Sequence, residues 1–223
     1  MGKTQDTKPK MRRFKKRYWL LIDLAVVIFI FVLLLYTPAG YKPAVSNGQG
    51  QIHPYLTHLS SEFYNGAQLQ EPFEVVVIDE RLNESIAGWS QASEDVVLSA
   101  PAVRFVPDSI ELMGTASIEG VDLVVTIVLE PKIDQNGLLN LQVAKVKTGA
   151  VNITPLAMMV ARRMYQQLAV MPVDTQDWRA QVAASLLDGR PFDPVFPVDD
   201  KNIRLKKIDM QNGKLILHLT PVP

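Results

Sequence analysis

The sequence predicts an α+β protein: an N-terminal transmembrane helix followed by a long, bent antiparallel sheet (a β-meander) packed against two to four helices. Three observations carry this. Residues 18–36 form a nearly unbroken apolar run. Residues 109–118 alternate apolar and polar, and a second apolar stretch ends at the turn sequence Asp134-Gln135-Asn136-Gly137, the pattern of strands joined by tight turns. Residues 154–171 instead repeat apolar side chains every three to four positions, the spacing of a helix face.

Charge sets the expected direction of the N-terminal helix. The chain has 23 basic and 23 acidic residues, but they are segregated. Residues 1–17 hold eight Lys and Arg against Asp6 alone, a net of +7, whereas residues 37–223 hold 15 basic and 21 acidic residues, a net of −6. Between them, Tyr18 to Tyr36 reaches roughly 28 Å as a helix, close to the ~30 Å hydrocarbon thickness of a bilayer. Trp19, Leu20, Leu21, Ile22, Phe29, Phe31, Leu35 and Tyr36 are the expected anchor residues, with aromatic rings at both ends of the run. The basic arm predicts a cytoplasmic N-terminus and a single-pass cell-membrane location with the C-terminal domain extracytoplasmic. The run exceeds the 7–15 apolar residues of a cleavable signal peptide, and Thr37-Pro38-Ala39-Gly40 fits a cleavage site poorly, so an uncleaved anchor is expected. Asp23, the one charge in the span, lies near the Tyr18–Trp19 end and reads either as an acid within reach of interfacial water or as a polar contact with another transmembrane helix.

The organisation that follows is a basic arm at 1–17, the anchor at 18–36, a flexible linker at 37–51 rich in Pro, Gly and Asn, and an extracytoplasmic α+β domain at 52–223. A helix is expected from Pro54 to about Asn65, ended by Gly66. Phe73–Ile78 reads as a strand, and Asp79 as the cap of a short helix over 80–90 with Leu82, Ile86 and Trp89 inward. Strands follow at Val103–Val106, Ser109–Ile118 and Val121–Leu129, the last apolar on both faces as a central strand would be. Past the Asp134–Gly137 turn, the apolar parity flips between Val143 and Ala144, which predicts a bulge. Thr154-Pro155 opens a helix to about Met171, and Asp174 caps another that ends at Gly189. A proline-rich crossing leads to a closing hairpin, Ile203–Met210 and Lys214–Leu219, turned at Asn212-Gly213. A second parity flip, between Leu205 and Ile208, predicts another bulge.

The side-chain inventory excludes much chemistry. There is no cysteine, and therefore no disulfide, thiolate metal site or cysteine nucleophile. His53, His58 and His218 do not form a ligand pattern, so no metal and no cofactor are expected. No nucleophile elbow, Ser-x-x-Lys pair or phosphate loop is present. The carboxylate pairs Asp79/Glu80, Glu94/Asp95 and Asp199/Asp200 sit where acids serve turns and helix starts. No catalytic residue is expected. The domain's acidity leaves no role for nucleic acid. Lys145, Lys147, Arg204, Lys206 and Lys207 read as a solvated sheet edge or as a contact for anionic lipid headgroups.

The remaining feature is the stripe Leu156, Met159, Val160, Met164, Leu168 and Met171. It reads either as ordinary core or as the wall of an apolar, ligand-binding groove.

The strand before Asp79-Glu80-Arg81-Leu82-Asn83, the strand ending Leu129-Glu130-Pro131, and the closing pair Ile203–Ile208 and Gly213–Leu217 carry a likeness. In these the chain resembles YpmS-like small single-pass bacterial membrane proteins and, more distantly, LmeA-type tubular lipid-binding proteins, over most of residues 73–219. The helix at 174–188 and the proline-rich crossing depart from that pattern. The resemblance implies a sheet curled around helices and a lipid-related role at the cell envelope. The expected function is therefore a non-catalytic, membrane-anchored domain binding lipid or another apolar ligand, with membrane lipid as partner. The alternative is a scaffold or accessory subunit with a membrane-protein partner.

Overall fold

A computed structural model of the chain describes residues 12–44, 53–87, 99–168 and 178–222. The order is α1 (Arg12–Leu34), α2 (Pro54–Gln68), β1 (Phe73–Ile78), α3 (Asp79–Ile86), β2 (Ser99–Val106), β3 (Ser109–Ile118), β4 (Val121–Ile133), β5 (Leu139–Thr148), β6 (Val151–Asn152), α4 (Thr154–Leu168), α5 (Trp178–Asp188), β7 (Val195–Val198), β8 (Lys201–Gln211) and β9 (Lys214–Val222). The α+β class holds, but the strands make two antiparallel sheets, not one long meander. One runs β1-β9-β8-β7 and the other β2-β3-β4-β5-β6. The split arises because Phe73–Ile78 pairs with Lys214–Leu219 at the far end of the chain, leaving β2 as the edge of a separate meander.

Both expected bulges are present. Val128 pairs with Lys145 and Leu129 with Val143, so Ala144 is the extra residue. Leu205 pairs with Leu219 and Lys207 with His218, so Lys206 is the extra one. Each lets apolar side chains keep facing inward while the strand bends.

The core lies between α2, the β1-β9-β8-β7 sheet and the nearer end of the other sheet. Tyr55 and Leu59 of α2 meet Val75, Val77, Ile203, Leu205 and Leu219, with Phe105, Leu139 and Phe192 closing it. The α2 N-terminus is capped by His53, whose Nδ1 accepts from Tyr55 N–H at 3.2 Å, and Pro54 follows in the first turn. Gly66 does not end α2 as expected. The helix continues to Gln68, and the Phe73 ring presses on Gly66 so closely that a side chain there would collide with it.

Asp79 also departs from its expected role. It is the first helical residue of α3, and its side chain caps nothing in that helix. Its carboxylate instead accepts from Phe105 N–H at 3.2 Å, and its own N–H donates to Gly213 O at 3.1 Å. Gly213, at φ +77° in the β8–β9 turn, donates to Phe105 O at 2.9 Å. One helical turn on, the Asn83 side-chain amide donates to Val103 O at 2.8 Å and accepts from Val103 N–H at 2.6 Å. The outward backbone groups of Val103 and Phe105 on edge strand β2 are thus paired by α3 and by the hairpin of the other sheet. Trp89 and the end of the expected 80–90 helix lie outside the described residues.

The opposite edges are joined too. Leu139 and Phe192 exchange backbone hydrogen bonds of 2.8 and 3.0 Å, Leu141 N–H donates to the buried Ser185 hydroxyl at 2.8 Å, and Leu205 N–H donates to Pro194 O at 2.9 Å.

Asn83→Ala removes both bonds to Val103 and leaves a backbone pair unsatisfied. It should lower unfolding stability by about 2–3 kcal/mol with an unchanged urea m-value. Urea denaturation followed by far-ultraviolet circular dichroism measures this, and a loss under about 0.5 kcal/mol would contradict the role given to Asn83.

Candidate functional site

Beyond α1, the apolar stripe on α4 is a face that the fold leaves exposed among the described residues. Ala157, Met158, Ala161 and Tyr165 are half-buried, while Leu156, Met159, Val160 and Met164 on the other side are 57%, 62%, 47% and 59% exposed. Leu168 is the last residue of α4, and Met171 lies outside the described residues. The helix is fixed at its start by Thr154, whose Oγ1 accepts from Val146 N–H at 2.8 Å. Farther along, Arg162 donates to Leu187 O at 2.9 Å and lies 3.7 Å from Asp188. Both contacts hold the inner side and leave the stripe outward.

The adjoining meander has an apolar face. Register places Leu112, Ile127 and Val146 in one row and Ile110, Leu129 and Val143 in the next, all half-buried except the buried Val146. The face runs from the core at Ile110 to the β3–β4 turn, where Ile118 and Val121 are exposed.

The end of α1 meets the same meander. Ala150 N–H donates to Leu33 O at 2.8 Å, satisfying one of the carbonyls a helix leaves unpaired at its C-terminus. Gly149, at φ +58°, brings its Cα against the Leu33 and Leu34 carbonyl oxygens, where a Cβ would collide. In the expected linker 37–51, residues 37–44 lie along the β2–β3 side of the meander, and residues 45–51 fall outside the described residues. Tyr41 hydroxyl bonds to Ala100 O at 2.8 Å and to Thr115 Oγ1 at 2.7 Å. Of α1's side chains, Trp19 and residues 21–34 are described, a span of about 20 Å. The anchor residues Leu21, Ile22, Phe29, Phe31, Leu35 and Tyr36 are exposed, as is Trp19, and Leu20 lies within the helix. Among the described residues no helix is long and apolar enough to cross a membrane.

Several charged groups form ion pairs. His218 Nδ1 lies 3.0 Å from Glu74 Oε1, and its Nε2 lies 2.6 Å from Asp209 Oδ2. Lys207 Nζ donates to Asp209 Oδ2 at 2.7 Å. These residues share the outer face of the β1-β9-β8-β7 sheet, away from the Val75–Val77 core face. The ammonium of Lys207, and secondly His218, hold the Asp209 carboxyl below its ordinary value of 3.8. His58 lies 3.6 Å from Glu62 one turn along α2. Among the described residues no three His, Asp or Glu side chains converge as metal ligands. The basic residues singled out in the sequence are divided. Lys145 and Lys147 lie on β5, while Arg204, Lys206 and Lys207 lie on β8 in the other sheet, where Arg204 pairs with Asp193 at 2.8 Å.

Comparison of the chain with family models, with curated proteins and with solved structures finds no match.

Because folding depresses the Asp209 carboxyl, its contribution is complete above the ordinary value of 3.8 and is lost as pH falls through the lower folded value. Lys207→Ala should raise the Asp209 carboxyl toward the ordinary value in a carbon-13 NMR titration, and Asp209→Asn should flatten the acid limb of stability below about pH 4. An Asp209 titration unmoved by Lys207→Ala would show that the ion pair is not its cause.

Proposed function

We propose that the protein is a single-pass membrane protein whose N-terminus is cytoplasmic and whose extracytoplasmic α+β domain binds lipid or another apolar ligand without catalysing a reaction. The observation that carries the reading is the outward stripe Leu156, Met159, Val160 and Met164 on a helix whose other side is already packed. Four large apolar side chains on one exposed face exceed the scattered exposure ordinary for a soluble surface. Methionine suits such a face because its unbranched thioether adapts to partners of irregular shape.

Two further features support it. From Leu21 to Val32 the side chains of α1 are exposed all round and, Asp23 apart, apolar, as in Leu21, Val27 and Phe29, and a helix surface of that kind is at home in apolar surroundings. The basic arm at its N-terminus supports the proposed direction of insertion. The likeness to YpmS-like proteins belongs to this proposal as well. Asp79 and Asn83, which carry part of it, act in joining the two sheets and do not touch the α4 face.

Leu156→Glu with Met159→Glu should leave the melting temperature nearly unchanged, because surface changes typically move stability by no more than about 0.5 kcal/mol. Lipid retained by the full-length protein, read by native mass spectrometry, should fall about tenfold. Retention equal to the parent's would sink the lipid-binding role of this face. A stoichiometric protein partner, lost from crosslinks in the same variant, would put the accessory-subunit reading in its place.

A further inference from the structure

We propose that the cleft at the end of α1 is a phosphate-binding site, and that the phosphate it takes belongs to an anionic phospholipid headgroup. The cleft holds about 330 Å³. Its floor is the polar-bearing face of the meander, where register places Met113, Thr126 and Lys147 side by side on β3, β4 and β5. Arg104 and Glu111, directly paired across β2 and β3, form one wall. Residues 36–40 cross above, and Gly149 and Ala150 close the end.

Thr126 is the observation that calls for a ligand. It is 5% exposed, and its Oγ1 has no hydrogen-bond partner. Buried hydroxyls are nearly always bonded, so an unpaired one lining a cleft is a donor awaiting an acceptor. Lys147 stands directly across the strand pair, half-buried, and among the described residues its ammonium has no ion-pair or hydrogen-bond partner. Arg104 meets Glu111 through a single contact of 3.5 Å, so its guanidinium keeps further donors for the cleft. Glu111 is neutralised by Arg104, which leaves Lys147 as the net charge of the cleft. One hydroxyl, one ammonium and a guanidinium around a small space suit a tetrahedral oxyanion.

Location selects the source of that phosphate. The cleft is bounded by Tyr36, two residues beyond α1, and by the Gly149–Ala150 turn that contacts the α1 carbonyls. With α1 as the membrane anchor, on which the lipid source rests, the cleft sits at headgroup depth in the extracytoplasmic leaflet, where its ammonium and guanidinium would meet lipid phosphates.

The full-length protein in a neutral maltoside detergent is titrated calorimetrically with dihexanoyl phosphatidylglycerol, dihexanoyl phosphatidylcholine and inorganic phosphate. Membrane sedimentation of the same chain is measured separately. Phosphatidylglycerol should bind saturably at one site, about tenfold more tightly than phosphatidylcholine. Lys147→Ala should weaken it about tenfold and Thr126→Val several-fold. Thr126→Ser, which keeps the hydroxyl, should bind as the parent does, as should Lys145→Ala, which removes the same charge outside the cleft. Inorganic phosphate binding with this dependence, while phosphatidylglycerol does not bind, would support the phosphate site and overturn the lipid source. A chain that fails to sediment with membranes yet binds inorganic phosphate through Lys147 would overturn the anchor and leave the site standing. Binding of every probe unchanged in Lys147→Ala relative to Lys145→Ala would overturn the proposal.

Discussion

The architecture depends on how the exposed edge of β2 is satisfied. An edge strand carries unpaired N–H and C=O groups that invite a second strand, from this chain or from another. On β2 those groups belong to Val103 and Phe105, and none is met by a strand of the same sheet. Asn83 answers Val103 with a side-chain amide that donates and accepts as a peptide unit would. Asp79 and Gly213 answer Phe105, the acid taking its N–H and the glycine its carbonyl. Asp79 and Asn83 lie one turn apart on α3, so a single short helix presents both partners with the spacing of alternate residues on a strand. The latch also brings the β8–β9 turn against β2, and this fixes the two sheets to each other.

The second tie, through Phe192 and Ser185, determines what is left outside. With Leu141 bonded to Ser185 on α5 and Arg162 on α4 bonded to the end of α5, both helices are held along the β5 side of the meander. The side of α4 that faces this assembly carries Ala157, Met158, Ala161 and Tyr165, and the two alanines let the helix approach closely. Leu156, Met159, Val160 and Met164 point away. The exposure of Leu156, Met159, Val160 and Met164 is thus a product of how α4 is fixed at both ends, which is why this surface is read as functional.

Much of the fold was legible because it is written in local patterns. Strand boundaries at Phe73–Ile78 and Ser109–Ile118, and both bulges, follow from side-chain parity, a property of neighbouring residues. What the pattern could not contain was pairing at long range. The β1 strand meets β9 across more than a hundred residues of chain, and nothing within Phe73–Ile78 distinguishes that partner from β2. Asp79 misled for a related reason: an acid at a helix start suits a local cap, yet here a tertiary acceptor role prevails. Gly66 looked like a stop signal but is a close-approach residue under Phe73. At the cleft, a faint signal was present. Thr126 is the only polar residue in the run Leu123–Leu129, and a hydroxyl in the middle of a central strand needs a partner.

The junction between α1 and the domain bears on how the protein would work at a membrane. A flexible tether lets a domain wander over a volume set by linker length, whereas a rigid junction holds one orientation. Here the last carbonyls of α1 are engaged by Ala150 and crowded by Gly149, and the chain that follows is held to β2 and β3 by Tyr41. The helix axis is therefore coupled to the meander through backbone contacts on one side and a side-chain clamp on the other. With α1 in a bilayer, that coupling would keep the Thr126–Lys147 cleft and the start of α4, four residues beyond Ala150, near one leaflet. Leu156 lies six positions beyond Ala150, at most about 22 Å of extended chain, so the apolar stripe begins within reach of the same surface. A polar cleft at the end of α1 and an apolar helix face that begins a few residues beyond the Gly149–Ala150 turn would suit the two ends of a lipid, so under the lipid reading the two features support each other.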